Sequence, residues 1–368
     1  MGRGIAIAVI AVALVGGVAA LIINQMAGRD AGVLPEEMIE PEPSAVAADA
    51  PPQPERASPE PSAAADSLRK KADAYWSAGE YKKAAEVWKG IAEAAATPAD
   101  RSAAVHWQAV CRERAGDRAA AVNLYEGLLG PDVPEEHRVK ALSRLALIHP
   151  ARADDYAARL LVDYASRPEA DEIARRFGEA NLSALFSPDP SPGTTFYTVV
   201  AGDNLTKIAK LYNTTAAAIM HCNRMDSDMI RPGDRLKVID GVFSITVDVP
   251  RCALVLSLND AFFRRYGVGV GKNDTTPAGT FEITAKLVEP TWFSPDGHIY
   301  QYGEDGNLLG TRWMSLSVDG YGIHGTWEPE TVGGPSSAGC IRMTNEDVEQ
   351  LYDLVPVGTK VTIVKAEG

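Results

Sequence analysis

The sequence predicts a multidomain chain of α and β elements: a membrane-spanning N-terminal helix, an α-helical repeat region, a small mixed module and a β-rich C-terminal domain. Three observations carry this expectation. Ile5 to Ile23 is an unbroken, uncharged apolar run. Residues 66–186 are alanine-rich and patterned for helix, with an internal self-match. From Val242 onward apolar residues alternate in strand fashion, with turn residues at short spacing. A chain of 368 residues has room for two or three domains.

As a helix, the nineteen residues of the apolar run would extend about 28 Å, close to the hydrocarbon thickness of a bilayer. The run exceeds the apolar core of about 7 to 15 residues found in cleaved signal peptides, and no small-x-small cleavage site precedes the polar region. Residues 1–29 therefore read as an uncleaved membrane anchor rather than a signal peptide. Arg3 precedes the run and an acid-rich stretch follows Arg29, which orients the N-terminus to the cytoplasm and everything beyond residue 30 to the outside. Residues 30–65 hold eight prolines, eight acids and no aromatic residue. Such a segment cannot bury enough apolar area to offset chain entropy and reads as a linker, reaching on the order of 110 Å if extended or about 35 Å as a flexible coil.

Within 66–186, Ala78-Gly79-Glu80, Ala84, Val87-Trp88 and Gly90-Ile91 recur as Ala115-Gly116-Asp117, Ala121, Leu124-Tyr125 and Gly127-Leu128, a period of 37. The pattern resembles tetratricopeptide units, helical pairs of about 34 residues, with a three-residue insertion around Ala96 to Asp100 accounting for the excess. Such a region either offers a groove to a partner protein or serves as a helical spacer that packs on itself.

Phe196 to Ile239 holds a helix signal, with Asp203 or Asn204 as cap and Leu205, Ile208, Ala209 and Tyr212 on one face, and Pro232-Gly233 marks a turn into a strand. Its Tyr197-Thr198-Val199, Gly202-Asp203, Leu205, Ile208-Ala209, Asn223 and Pro232-Gly233 resemble the LysM module, of βααβ fold. The resemblance implies binding of N-acetylglucosamine-containing glycan by loops near the helix starts, with Gly202, Asp203, Asn204 and Pro232 as candidate contacts. Asn204 stands where the family usually has Thr.

In residues 242–368, Phe243, Ile245 and Val247 and then Leu254-Val255-Leu256 read as strands. Thr344 or Asn345 can cap a helix whose apolar face is Val348, Leu351, Tyr352 and Val355, before Pro356 and Gly358 stop it. A β-sandwich or barrel-like sheet carrying one short helix is expected.

The chemistry concentrates between His324 and Met343, where a histidine and a cysteine bracket a Gly- and Ser-rich loop. A free thiol is only a few per cent ionised at neutral pH, and a neighbouring imidazole raises its reactivity by accepting the proton. Cys340 is the candidate nucleophile and His324 the candidate base, which later returns a proton to a leaving amine. Gly339 and Cys340 are candidate backbone donors to an oxyanion, Gly339 because the lack of a Cβ lets a carbonyl approach. Ser337 is placed to orient the imidazole through its hydroxyl or its carbonyl. Gly325 and Arg342 are the candidate substrate contacts; Arg342 either holds a carboxylate through its planar fork or forms a structural ion pair.

His324-Gly325, Ser337-Ala338-Gly339-Cys340 and Ile341-Arg342, with Thr276-Pro277-Ala278-Gly279, Asn307 to Arg312 and Gly358 to Val361, resemble the L,D-transpeptidase catalytic domain. Many members carry a second histidine where this chain has Ala338, so the proton work falls to His324. The resemblance implies attack on the third residue of a peptidoglycan stem tetrapeptide, release of D-alanine, and a thioester resolved by a second stem to give a 3–3 crosslink, without nucleotide or metal cofactor. Water as acceptor, a lysine of an envelope protein as acceptor, or an idle wall-binding scaffold are the alternatives. With the anchor, this places the chain at a bacterial inner membrane with its domains in the periplasm.

A net charge of -13 and a pI near 5.0 argue against a nucleic-acid partner, which requires a basic face. Cys111, Cys222, Cys252 and Cys340 lack metal-ligand spacing. Export permits a Cys222–Cys252 disulfide, but the two lie on different expected modules.

Overall fold

The computed structural model describes residues 63–365. The anchor expected at 1–29 lies outside these residues, as does the linker expected at 30–65 except for its last three positions, which begin the first helix. Among the described residues no helix is long and apolar enough to cross a membrane.

The helical region consists of α1 (Ala63–Ser77), α2 (Tyr81–Ala94), α3 (Pro98–Arg114), α4 (Arg118–Gly127), α5 (Glu135–Ile148), α6 (Ala153–Asp163) and α7 (Pro168–Leu185). The self-match has a physical cause. Gly79 and Gly116 both adopt positive φ, +71° and +76°, and each ends a helix with the same paired bonds. The amides of Gly79 and Glu80 donate to Trp76 and Tyr75, and those of Gly116 and Asp117 to Glu113 and Arg112. This Schellman closure demands a residue without a Cβ and turns α1 onto α2 and α3 onto α4 in the same way. The extra residues near 97 build the start of α3, where the Thr97 hydroxyl accepts from the Asp100 amide and Pro98 occupies the first turn.

A βααβ unit follows: β1 (Thr194–Thr198), α8 (Leu205–Leu211), α9 (Ala216–Cys222) and β2 (Arg235–Ile239), with β1 antiparallel to β2. Of the two candidate caps, Asn204 caps α8 by accepting from the Lys207 amide.

The C-terminal domain holds β3 (Phe243–Asp248), β4 (Ala253–Leu258), β5 (Ala261–Gly267), β6 (Val270–Gly271), β7 (Gly279–Val288), β8 (Trp292–Phe293), β9 (Ile299–Tyr300), β10 (Arg312–Leu316), β11 (Gly322–His324), β12 (Pro335–Ser337), β13 (Ile341–Arg342), α10 (Asn345–Leu354) and β14 (Lys360–Val364). Eight strands form one mixed sheet in the order β13-β11-β10-β7-β14-β3-β4-β5. Its two ends approach each other: the chain leaving β5 reaches Gly269, which exchanges both backbone bonds with Arg342 of β13, at 2.7 and 2.9 Å. The expected barrel-like character therefore comes from one open sheet whose far edges are stitched by a single bridge. Thr344, not Asn345, caps α10, accepting from the Asp347 amide.

The three regions are not strung as separate beads. Leu185 of α7, Ala218 and Cys222 of α9 and Ile239 of β2 belong to the same buried apolar cluster as the strands of the large sheet. The edge of β5 is covered by α7, where the Asn181 side-chain amide donates to the carbonyls of Phe262 and Phe263, closing an edge that would otherwise invite pairing. Thr215 donates to the Asp353 carbonyl and His221 meets the Asp353 carboxylate at 3.0 Å, joining α9 to α10. All four cysteines are free.

Lys237 of β2 is fully buried, and its ammonium donates to the carbonyls of Ala184 and Ser187, both at 2.9 Å, at the end of α7. Burial holds its pKa below the ordinary lysine value. Lys237→Ala leaves both carbonyls without that donor and opens a void. We expect a loss of about 2–4 kcal/mol in chemical denaturation; a change below about 0.5 kcal/mol would show that this clamp does not hold the modules together.

Candidate active site

Three short strands place the two reactive side chains. β11 lies between β10 and β13 and runs parallel to β13, with Ile323 opposite Ile341 and His324 opposite Arg342. Ile323 and Ile341 are completely buried in the large apolar cluster. Because side chains alternate along a strand, Gly322 and His324, together with Cys340 and Arg342, belong to the opposite face. The thiol and the imidazole thus share one side of neighbouring strands, two residues apart in register.

His324 is 3% exposed and stacks on the Trp313 ring at 5.7 Å and 26°. Its Nδ1 lies 2.6 Å from the Gly325 carbonyl. A carbonyl can only accept, so Nδ1 carries the hydrogen and Nε2 keeps its lone pair, the tautomer a general base needs. Burial, assisted by the Arg342 charge, pushes the imidazole pKa down to about 4 although the Gly325 bond raises it.

The orienting carbonyl is itself positioned. A Cβ on Gly325 would come within 2.2 Å of Asn345 Oδ1, and one on Gly310 within 2.3 Å of the same atom and 2.5 Å of the Gly325 carbonyl carbon. Asn345 Oδ1 accepts from the Thr311 amide at 3.1 Å. The Asn307–Arg312 loop, the His324-Gly325 turn and the start of α10 thus converge on one side-chain oxygen. Gly325, expected as a substrate contact, is buried in this junction.

Cys340 follows the turn that links β12 to β13 and is half-buried. Its thiol donates to the Gly320 carbonyl at 3.7 Å rather than to the imidazole. Burial pushes its pKa up, opposed by the Gly322 backbone N–H and the Arg342 charge. Burial thus disfavours the charged form of both the imidazole and the thiol.

The Ser337 hydroxyl does not take its expected role of orienting the imidazole. The group donates to the Cys340 carbonyl at 2.6 Å and accepts from the Gly339 amide at 3.0 Å, bracing the turn of the candidate nucleophile instead of the imidazole. The Gly339 amide is thereby occupied and is not a free oxyanion donor. Its lack of a Cβ serves packing: φ is +143°, and a Cβ would meet the Tyr321 ring at 2.6 Å. Thr276, completely buried, donates to the Gly339 carbonyl and accepts from the Gly271 amide, tying β6 to the same turn.

Arg342 resolves toward the structural one of its two readings. It is 7% exposed, and its guanidinium donates to Thr331 at 3.0 Å and faces the Glu328 carboxylate at 3.4 Å. It braces the segment that leads from β11 to β12. Spacing alone did not single out the aromatic pairs nearby in the domain: Trp327, 48% exposed and 5.8 Å from Tyr302, and Trp292, which stacks on Tyr300 in the β8–β9 hairpin.

In the βααβ unit the two candidate glycan loops are joined, since the Val199 amide donates to Asp234 and the Gly233 amide to Val199. Gly202, Asn204 and Pro232 are exposed. Asp203 is committed internally, accepting from the Tyr197 hydroxyl at 2.8 Å and the Val200 amide at 2.9 Å. Asn204 spends its side-chain oxygen on the cap.

Two outcomes follow from this geometry. Gly325→Ala should cost about 1–3 kcal/mol of stability through the clash with Asn345, and adding Asn345→Ala should recover part of the loss; strictly additive losses in a double-mutant cycle would contradict the shared junction. Because the Cys340 pKa is raised, the thiolate fraction falls about tenfold for each pH unit below it. Alkylation of Cys340 by iodoacetamide should therefore climb steadily from pH 6 to pH 9; a rate that levels off below pH 7 would reveal an ion pair.

Comparison with known proteins agrees with the site. The family model for the L,D-transpeptidase catalytic domain, YkuD, matches residues 243–363, and that for the LysM domain matches residues 197–238. YkuD of Bacillus subtilis, named as an L,D-transpeptidase, is 36% identical over 175 residues, covering 45% of this chain and 97% of the relative. Its counterpart in Bacillus licheniformis is 34% identical over 176 residues, with the same shares. Among solved structures, an L,D-transpeptidase from Mycobacterium smegmatis is similar at 20% identity and a TM-score of 0.29, covering 36% of this chain and 63% of that one, and adds no weight. With relatives matched over nearly their whole length and the family's catalytic domain spanning the sheet that carries Cys340 and His324, this chain belongs to the YkuD family of L,D-transpeptidases.

Proposed function

We propose that this L,D-transpeptidase works by cysteine acyl transfer on peptidoglycan stem tetrapeptides and makes 3–3 crosslinks. The observation that carries the reading is the His324 ring held by the Gly325 carbonyl so that Nε2 is the free base, on the same sheet face as Cys340. Nε2 removes the thiol proton as sulfur attacks the carbonyl of the third stem residue. The proton passes to the departing D-alanine nitrogen as the tetrahedral intermediate collapses to a thioester. The ε-side amine of a second stem then loses a proton to His324, attacks the thioester and displaces the thiol. With the Gly339 amide held by Ser337, the amide of Cys340 is the donor left for the oxyanion. Arg342 and Ser337 act in this scheme by holding the turn on either side of the nucleophile, not by touching substrate.

The LysM unit brings glycan to the enzyme through Gly202, Asn204, Pro232 and their neighbours. Because it shares a core with the catalytic sheet, a bound strand is presented at one angle rather than on a flexible leash. The apolar run at Ile5–Ile23 anchors the chain in a bacterial inner membrane, with the folded regions in the periplasm.

The full chain incubated with purified tetrapeptide muropeptides should yield a crosslinked dimer lacking one D-alanine, detected by mass spectrometry, and Cys340→Ala should lower the yield by at least about a thousandfold. A tripeptide product alone would assign water as the acceptor. No product from the wild-type chain would refute the reading.

A further inference from the structure

Where α7 packs against β5 there is a notch of about 170 Å³ lined by Asp171, Ala174, Arg175, Arg264, Arg265 and Gly267. Three guanidinium groups converge there in a chain whose net charge is -13. Two of them are matched: Arg175 binds Glu172 and Glu179, and Arg265 binds Asp171. Arg264 is different. Among the described residues it has no carboxylate partner, its one recorded contact of charge being the Tyr266 ring at 5.3 Å. Its Nε is shut off from solvent and donates to nothing.

Its stem is held against α7 at Gly178, where a Cβ would come within 3.1 Å of Arg264 Cγ, while the side chain as a whole is half-buried and lines the notch. A half-buried guanidinium that lines a notch, with no carboxylate partner among the described residues, leaves its fork available to an anion. The notch is smaller than the usual cavity for a drug-sized ligand and suits a small oxyanion. A planar fork pairs such a group through two parallel bonds.

We propose that this notch is an oxyanion-binding site that takes a carboxylate or a phosphate group, with Arg264 as its principal ligand and Arg265 and Arg175 adding charge. The site is separate from the catalytic pair but mechanically close to it. Gly267 forms one wall, and the next residues, Val268 and Gly269, pair with Gly333 and with Arg342, two positions after the nucleophile. It is built jointly by the helical region and the catalytic sheet, which gives α7 a ligand-binding task besides covering the β5 edge. In a cell wall the chemistry has two sources, the free carboxylates of acidic peptides and the phosphodiesters of anionic polymers.

The test needs no turnover, so its failure is separable from failure of the transpeptidase reading. The full chain is modified with phenylglyoxal at constant ionic strength, in chloride alone, with inorganic phosphate, or with glutarate, and modification of Arg264 is followed by peptide mapping. Phosphate or glutarate should slow modification of Arg264 at least about fivefold relative to chloride, and the stronger of the two identifies the source. Arg264→Gln should weaken binding of the protecting anion at least about tenfold by calorimetry while leaving Cys340 alkylation unchanged. No protection by either anion in the wild-type chain, or equal binding to Arg264→Gln, overturns the proposal.

Discussion

The parallel pairing of β11 with β13 is the constraint on which the site depends. Each strand is very short, yet its register decides which side chains face the core. With Ile323 opposite Ile341, two aliphatic side chains complete the apolar cluster and leave the imidazole and the thiol together outside it. A slip of one residue would bury Cys340 and expose Ile341. Gly269 prevents the slip from the other side by exchanging both backbone bonds with Arg342. The strand that follows Cys340 is thus pinned along both edges, and the turn before it is tied by Ser337 and Thr276.

The electrostatics follow from the same packing. Burying His324 against Trp313 fixes the ring and depresses its basicity, while burial raises the thiol pKa. Burial disfavours the charged form of both groups, which fits the proposed mechanism, in which the proton moves as the substrate carbonyl is attacked. The Gly325 carbonyl selects the tautomer, and in the proposed mechanism it would steady the imidazolium as the uncharged counterpart of a triad's third member.

Much of this was legible in the sequence wherever a single residue type has a single physical use. The self-match that includes Gly79 and Gly116 pointed to two like helical units, Thr344 and Asn204 each stood in a pair of neighbouring candidate caps, the alternation from Phe243 gave real strands, and His324 and Cys340 stood out by chemistry. What could not be read depends on segments that meet only in the fold. Asn345 looked like a rival cap to Thr344, and its junction with Gly310 and Gly325 joins positions far apart in the chain. Ser337 was expected to orient the imidazole by its hydroxyl or its carbonyl, and only the turn geometry shows the hydroxyl on the Cys340 carbonyl. Modular patterning also hid the shared core, because Leu185, Cys222 and Ile239 look like interior residues of their own units while packing against the neighbouring sheet.

The central claim is that acyl transfer passes through the Cys340 sulfur. Intact-protein mass spectrometry of the chain quenched during reaction with a stem tetrapeptide, followed by digestion, examines that step itself. The account predicts an adduct of tripeptidyl mass confined to the peptide containing Cys340, labile to hydroxylamine as a thioester is. An adduct on another residue, or turnover that continues with Cys340 already alkylated, would contradict it.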